Sequence, residues 1–400
     1  MMARAGDERD CMTGTQGRVR VALVASSFHP HTGGVEQHVR QVATELSRAG
    51  VDVEVWTVDR GEGLGEQDVD GVRVRYLPTP LPARSAAALG RLLRAAPRAA
   101  AAWRRAHREF RPDVLHVQCF GPNGLYALAL NHLTRTPLVV TSHGETVADD
   151  YGAFDRSALL RAGLRHAISR TRVVTAPSEL VLEDLRSRFG LHGGVVVPNG
   201  VHLDAPVGDP PALPPGPVVL AVGRLERMKG FDLLLDAVAA LDDPRVQVAI
   251  GGDGSQREAL KDQAARLGLS ERVHLLGRLS DRDVAGAMRA ADVVVVPSRW
   301  EAFGIVALEA WRAGTPLVAS VHGGMPEFIR DGVDGLVVDP VDPEALASAI
   351  RGLLEAPITA ADLAAAGSER VRHYSWGSVA GRYATIHAGA GAGATAGVGA

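Results

Sequence analysis

Glu301 and Glu309 stand with seven residues between them in the run Ser298-Arg299-Trp300-Glu301-Ala302-Phe303-Gly304-Ile305-Val306-Ala307-Leu308-Glu309. An apolar strand, DVVVVP (292–297), leads into this run, and a helix is predicted from about Ile305 to Ala313. The backbone N–H groups of Phe303, Gly304 and Ile305 at such a helix start have no intrahelical acceptor and form an anion site. Carboxylates in contact with a phosphate there would repel it, so the two glutamates suit hydroxyl groups on either side. A nucleotide sugar carries groups in that order: ribose diol, diphosphate, sugar hydroxyls. The alternative is a helix whose acidic residues favour its dipole, although Glu309 lies about one turn in, deeper than that role needs.

A second constellation is Gly223-Arg224-Leu225-Glu226-Arg227-Met228-Lys229-Gly230, between the strand PVVLAVG (217–223) and the helical run FDLLLDAVAAL. A Walker A loop would need glycine at 228 and serine or threonine at 230, and both positions fail. What remains is a planar fork, Arg224, and a point charge, Lys229, suited to two oxygens of a diphosphate. Surface charge on a turn is the competing reading. Of the 43 basic residues, however, only Lys229 and Lys261 are lysine, so a lysine here departs from the chain's arginine habit. Gly33 and Gly34 occupy a strand-to-helix turn where backbone N–H groups can approach a phosphate, or where glycine serves geometry alone. His116 and Gln118, at the end of the strand DVLHV, face the predicted cleft and are candidate acceptor contacts, with core or loop roles left open.

The elements that must position these groups are short β-branched runs alternating with helix-length segments from about residue 19 to residue 355, the pattern of parallel sheets with crossover helices. Residues 205–217 hold six prolines in thirteen positions and read as a linker between two α/β units. The expected organisation is a disordered leader (1–17), a first domain (18–204), the linker, a second domain (218–375), a helix (376–387) returning to the first domain, and a disordered Gly/Ala tail (388–400). That helix places Val379, Tyr383 and Ile386 or His387 on one face.

Composition excludes several functions. Among 400 residues, 46% are hydrophobic and 22% charged, with a formal charge of −3, so no global positive field serves a nucleic acid. Cys11 and Cys119 cannot form a disulfide framework. No apolar run reaches membrane-spanning length. The leader carries Asp7, Glu8 and Asp10 without an apolar core, which excludes a secretory signal and places the chain in the cytoplasm.

The GGVE turn at 33–36, SHG at 142–144, GRLERMKG at 223–230 and EAFGIVALE at 301–309 together resemble the metal-independent, retaining GT-B glycosyltransferases of the large group 1 family, over roughly residues 18–388. The resemblance implies an α/β fold of two Rossmann-like domains facing a central cleft. It implies a hexosyl transfer from a nucleoside diphosphate sugar to an acceptor hydroxyl on a lipid, glycan or small molecule, with no cofactor. Carried over, Arg224 and Lys229 hold the diphosphate, Glu309 the ribose and Glu301 the transferred sugar. Gly33 and Gly34 approach the phosphate from the other domain, and His143 contacts the donor sugar near the reaction centre. The chain departs from the usual pattern at Asn199-Gly200-Val201-His202, where aspartate commonly replaces the histidine. A nucleotide-sugar epimerase of the same architecture and a non-catalytic nucleotide-sugar binder are the rival functions.

Other ionisable groups take structural roles in this reading. Asp68-Val69-Asp70 and Asp281-Arg282-Asp283 have metal-binding spacing, but turn and capping roles explain them. His29, His31 and His38 lack zinc-ligand spacing. Residues 84–111 hold eight arginines against the single acid Glu109, with Leu92, Leu93 and Trp103 as apolar contacts and Pro97 breaking the helix. The segment is either a solvated face or a peripheral contact with an anionic membrane.

Overall fold

The computed structural model describes residues 18–31, 33–82, 86–147, 152–208, 213–241 and 243–395. The expected leader lies outside them. The first domain is built on β1 (Arg20–Ala25), β2 (Asp52–Val58), β3 (Glu66–Val69), β4 (Val72–Leu77), β5 (Val114–Gln118), β6 (Leu138–Thr141), β7 (Val173–Ala176) and β8 (Val195–Val196). They lie in the order β3-β4-β2-β1-β5-β6-β7-β8, parallel except for the β3–β4 pair. The second sheet comprises β9 (Val218–Val222), β10 (Gln247–Gly251), β11 (Val273–Gly277), β12 (Val293–Val296), β13 (Leu317–Ser320) and β14 (Leu336–Val338), in the order β11-β10-β9-β12-β13-β14.

Strands β1 and β9, central in their sheets, are apolar from Val21 to Ala25 and from Val218 to Val222 because helices cover both faces. Val21 to Ala25 and Val219 to Ala221 are entirely sealed from water. In each sheet the first strand lies between its successor and a later strand: β1 between β2 and β5, β9 between β10 and β12. The strand order reverses there, and the carboxyl ends of the flanking strands open a crevice. The edge strand β3 forms from a polar sequence, EQDV, because Glu66 registers opposite Arg75 and pairs with it at 2.9 Å.

Helix α1 (Gly34–Arg48) buries Val39, Val42, Ala43 and Leu46 against the first sheet. Helix α2 runs unbroken from Ala86 to Phe110, so Pro97 does not interrupt it as expected. Pro97 lies on the exposed side, where the carbonyl that loses its N–H partner can be hydrated. Trp103, one of the apolar contacts expected of this helix, is core: it is 1% exposed, stacks on Tyr126 at 5.4 Å and stands edge-on to Trp56. Among the described side chains, Leu93, 68% exposed, is the large apolar group that α2 presents at the surface.

The chain crosses between the domains twice, side by side. Val201 forms a parallel bridge with Ser375, and its N–H donates to Tyr374 O at 2.8 Å. The C-terminal helix, Trp376–Thr395, then lies on the first domain with Trp376, Val379, Ala380 and Tyr383 in the same apolar cluster as α1 and β1. It extends eight residues beyond the expected end at 387, because Ala390 supplies an apolar contact against Val114 and Val139. Residues 396–400 of the expected tail lie outside the described residues. No helix among the described residues is long and apolar enough to cross a membrane.

Candidate active site

Beyond β9 the chain passes Arg224, which is exposed, and enters a 3₁₀ turn, Arg227–Lys229, ending at Gly230. Gly230 has a φ of +68°, and a Cβ there would fall 2.0 Å from Pro297 O. Only glycine permits this approach of the β9 and β12 loops. The junction is tied by Arg299 N donating to Met228 O at 2.8 Å and by a two-pronged Arg299–Asp232 pair at 2.6 and 2.7 Å. The consequence is at Lys229: its Nζ lies 2.5 Å from Glu301 Oε2, although 72 residues separate them. Cation and carboxylate, read separately from the sequence, form one unit.

From Glu301 the chain reaches Gly304, the left-handed N-cap of the helix Ile305–Ala313, which has no side-chain cap. This helix start follows β12, which neighbours β9 at the second sheet's switch point. Phe303 is 3% exposed and stacks on Phe328 at 4.5 Å, so it shapes this turn while its own ring stays buried. Glu309 is half-buried and accepts no hydrogen bond among the described residues. Burial pushes its pKa up to about 7, Arg312 opposing and Asp281 adding to the rise. A carboxyl so placed has lone pairs left for a ligand's hydroxyls.

The first domain contributes the segment after β6. Ser142 Oγ, His143 N and Phe120 N all donate to the Glu145 carboxylate, at 2.9, 2.7 and 2.8 Å. Glu145 thereby fixes the backbone of His143. The His143 ring donates through Nε2 to Gln118 Oε1 at 2.9 Å and stands edge-on to His38, centroids 4.7 Å apart. Burial holds its pKa well below the ordinary histidine value, so the imidazole is neutral. Gly33 is the N-cap of α1 and Gly34 its first residue, with the Glu36 carboxylate in the first turn.

His116 and Gln118 are corrected. Both are fully sealed from water, not presented to the cleft, because β5 is a central strand covered by the C-terminal helix. Gln118 is instead the hydrogen-bond partner of His143. His38 likewise turns inward, bonding Asn199 at 2.7 Å. The D-x-D runs are structural: Asp283 completes a capping box with Ser280, and Asp68 accepts from Gly71 N at 2.9 Å.

The two halves meet across a seam that sequence reasoning missed. Gly144 sits at φ +89°, so close to the indole of Trp300 that a Cβ would lie 2.5 Å from it. Ser178 Oγ donates to Ala302 O at 2.7 Å. Glu327 reaches across to accept from Glu179 N and Leu180 N, at 2.6 and 2.8 Å, capping the helix Glu179–Phe189 of the other domain. A lone Glu in the segment MPEF carries no sequence signal of such a contact.

Residues 210–370 match the family described as Glycosyl transferases group 1, and residues 32–205 match Glycosyltransferase Family 4. The chain is 33% identical to a phosphatidyl-myo-inositol mannosyltransferase of Mycobacterium leprae, covering 92% of this chain and 96% of that one. It is 27% identical to a D-inositol 3-phosphate glycosyltransferase of Corynebacterium glutamicum, again over 92% and 96%. Among solved structures it is similar to a sucrose-phosphate synthase of Thermosynechococcus elongatus, with a TM-score of 0.75 and 26% identity over 92% of this chain and 98% of that one. With two parallel sheets, paired switch points and matches across both halves, the chain belongs to the group 1 glycosyltransferases of GT-B fold, which transfer a sugar from a nucleotide-sugar donor.

Proposed function

We propose that the chain is a retaining, metal-independent hexosyltransferase acting on a hydroxyl of an inositol-containing acceptor at an anionic membrane surface on the cytoplasmic side. The observation that carries the reaction is the Lys229–Glu301 pair beside the uncapped start of the helix Ile305–Ala313. In this reading Arg224, Lys229 and the N–H groups of Phe303, Gly304 and Ile305 take up the charge that develops on the leaving diphosphate. Gly33 and Gly34 approach that diphosphate from the other domain. Glu309 accepts from the ribose hydroxyls, Glu301 from the sugar, and neutral His143 lies near the anomeric carbon. The bond from the anomeric carbon to phosphate oxygen breaks, the bond to the acceptor oxygen forms on the same face, and the acceptor proton passes to the departing phosphate.

The names of the two curated relatives support an inositol acceptor. The exposed Leu93 on α2 and Leu133 on helix α3 (Pro122–Thr134), among the arginines of α2, support the membrane contact. The test is a panel of nucleoside diphosphate hexoses with free and lipid-linked inositol acceptors in excess EDTA. Release of nucleoside diphosphate with a product of unchanged anomeric configuration supports the reading. Activity lost in EDTA and restored by manganese or magnesium, an inverted product, or no turnover with any pair would overturn it.

A further inference from the structure

Glu145, on the loop after β6, has both carboxylate oxygens engaged, and the two face different segments of the chain. Oε1 accepts from Phe120 N, in the loop after β5, at 2.8 Å. Oε2 accepts from Ser142 Oγ at 2.9 Å and from His143 N at 2.7 Å. One side chain thus spans the carboxyl ends of two neighbouring strands, β5 and β6. Both ends are firm. Phe120 is 2% exposed and belongs to the first domain's core, and Ser142, fully buried, donates its own N–H to Thr175 O at 2.9 Å and accepts from Gly144 N at 3.3 Å.

A second rung joins the same two segments. The His143 ring bonds Gln118 at 2.9 Å, and Gln118 lies two residues before Phe120. The ring keeps that bond only while the loop after β6 keeps its spacing from β5, and the Glu145–Phe120 bond sets that spacing. The loop is also loaded from the second domain, because Trp300 packs on Gly144, the residue after His143. Glu145 braces the loop against that contact from the first domain. Farther along, Thr146 Oγ1 donates to Asp184 at 2.6 Å and Val147 N returns to Gly144 O at 3.0 Å, so the end of the loop is tied separately.

We propose that Glu145 is a positioning residue for the transfer reaction: by tying the loop after β6 to Phe120 it holds the His143 ring in the place from which it meets the donor sugar. The role rests on the reading that His143 contacts that sugar. Glu145 touches no substrate in this account and acts through His143.

The test uses the full chain. Glutamine at 145 keeps the length but offers one acceptor, so its amide N–H₂ must face either Phe120 N–H or His143 N–H, and one end of the tie opens. Glu145→Gln should lower kcat about tenfold and Glu145→Ala about 10²-fold, the scale of a misplacement on the order of 1 Å. Nucleoside diphosphate Kd should stay within about twofold of the wild type, because neither end of the tie lies in the second domain. Thr146→Val is the control for a loop that is merely loosened: it removes the bond to Asp184 from the same segment, and kcat should hold. With ¹⁵N-labelled histidine, the His143 ring resonances, assigned from their loss in His143→Gln, should shift in Glu145→Gln and stay in place in Thr146→Val. Unchanged kcat in Glu145→Ala, unshifted His143 resonances in Glu145→Gln, a rise in nucleoside diphosphate Kd that matches the fall in kcat, or equal loss of kcat in Glu145→Gln and Thr146→Val at matched Tm would overturn the proposal. Failure of the underlying reading has a different signature: full turnover by His143→Gln, with the His143 resonances of Glu145→Gln shifted as expected.

Discussion

Replacing Glu309 by glutamine should raise stability and weaken nucleotide binding in the same protein. Glu309 titrates at about 7 in the folded chain against an ordinary 4.5, chiefly because burial disfavours its charge. The folded state therefore keeps a proton that the unfolded chain releases above about pH 4.5. Stability must fall as pH rises from there to about 7, and the full deficit applies above that range. At 1.36 kcal/mol per pH unit the gap from 4.5 to about 7 sets a ceiling of about 3 kcal/mol, reduced by the water that reaches a half-buried side chain. For a domain of this size that is a ceiling of about 10 °C in Tm. Glu309→Gln should thus match the wild type at pH 4.5 to 5 and melt several degrees higher at pH 8. Calorimetry across this range reads the effect. Nucleoside diphosphate affinity, by titration at pH 8, should fall about 10- to 100-fold, the scale of a hydrogen bond to a charged group. Because the ribose does not change during the reaction, the kinetic loss should lie in donor KM. A variant no more stable than the wild type at pH 8 would refute the burial argument. Abolished turnover with intact nucleotide affinity would instead refute the ribose assignment.

Three further outcomes follow from the same geometry. Lys229→Ala removes charge that matters most as the diphosphate departs, so kcat should fall by about 10²-fold or more in steady-state kinetics, with a smaller change in Kd for the donor; a change confined to Kd would count against this role. Glu327→Ala uncaps the helix Glu179–Phe189 only when the domains are together, at a cost of about 1 kcal/mol. Small-angle scattering should show a larger radius of gyration and kinetics a raised donor KM, and an unaltered pair of values would remove the seam from the account. If α2 docks on lipid, the protein should sediment with anionic vesicles at low salt, come off at high salt, and lose binding in Leu93→Glu. Sedimentation unaffected by salt or by that substitution would show that α2 is not the contact.

What was legible in the sequence was local. The segments 223–230 and 301–309 each lie on one loop and one helix start, so residue spacing alone locates their chemistry at a strand's carboxyl end. The alternation of strands and helices likewise foretells two parallel sheets. Depth was not legible: the order DVLHVQ indicates a strand, but nothing in it says that His116 and Gln118 lie in the middle of an eight-stranded sheet with another helix over them. The Lys229–Glu301 pair depends on an approach at Gly230 to a segment 67 positions away, Pro297, which spacing does not report. β3 was hidden because an ion pair to Arg75, not apolar alternation, holds it. The end of the last helix was hidden because Gly/Ala composition looks featureless until Ala390 meets Val114 and Val139.

The paired crossings at Val201 and Ser375 have a mechanical consequence. One tether between two bodies allows swivel about any axis. Two tethers bonded edge to edge, with Gly200 so near Trp376 that a Cβ would sit 2.9 Å from its backbone nitrogen, define a line and leave rotation about that line as the easy motion. The domains then behave as a door and its frame, with one soft degree of freedom. A swing about that line would bring the loops after β9 and β12 back to the same angle against the first domain each time, so orientation would be supplied by the joint itself.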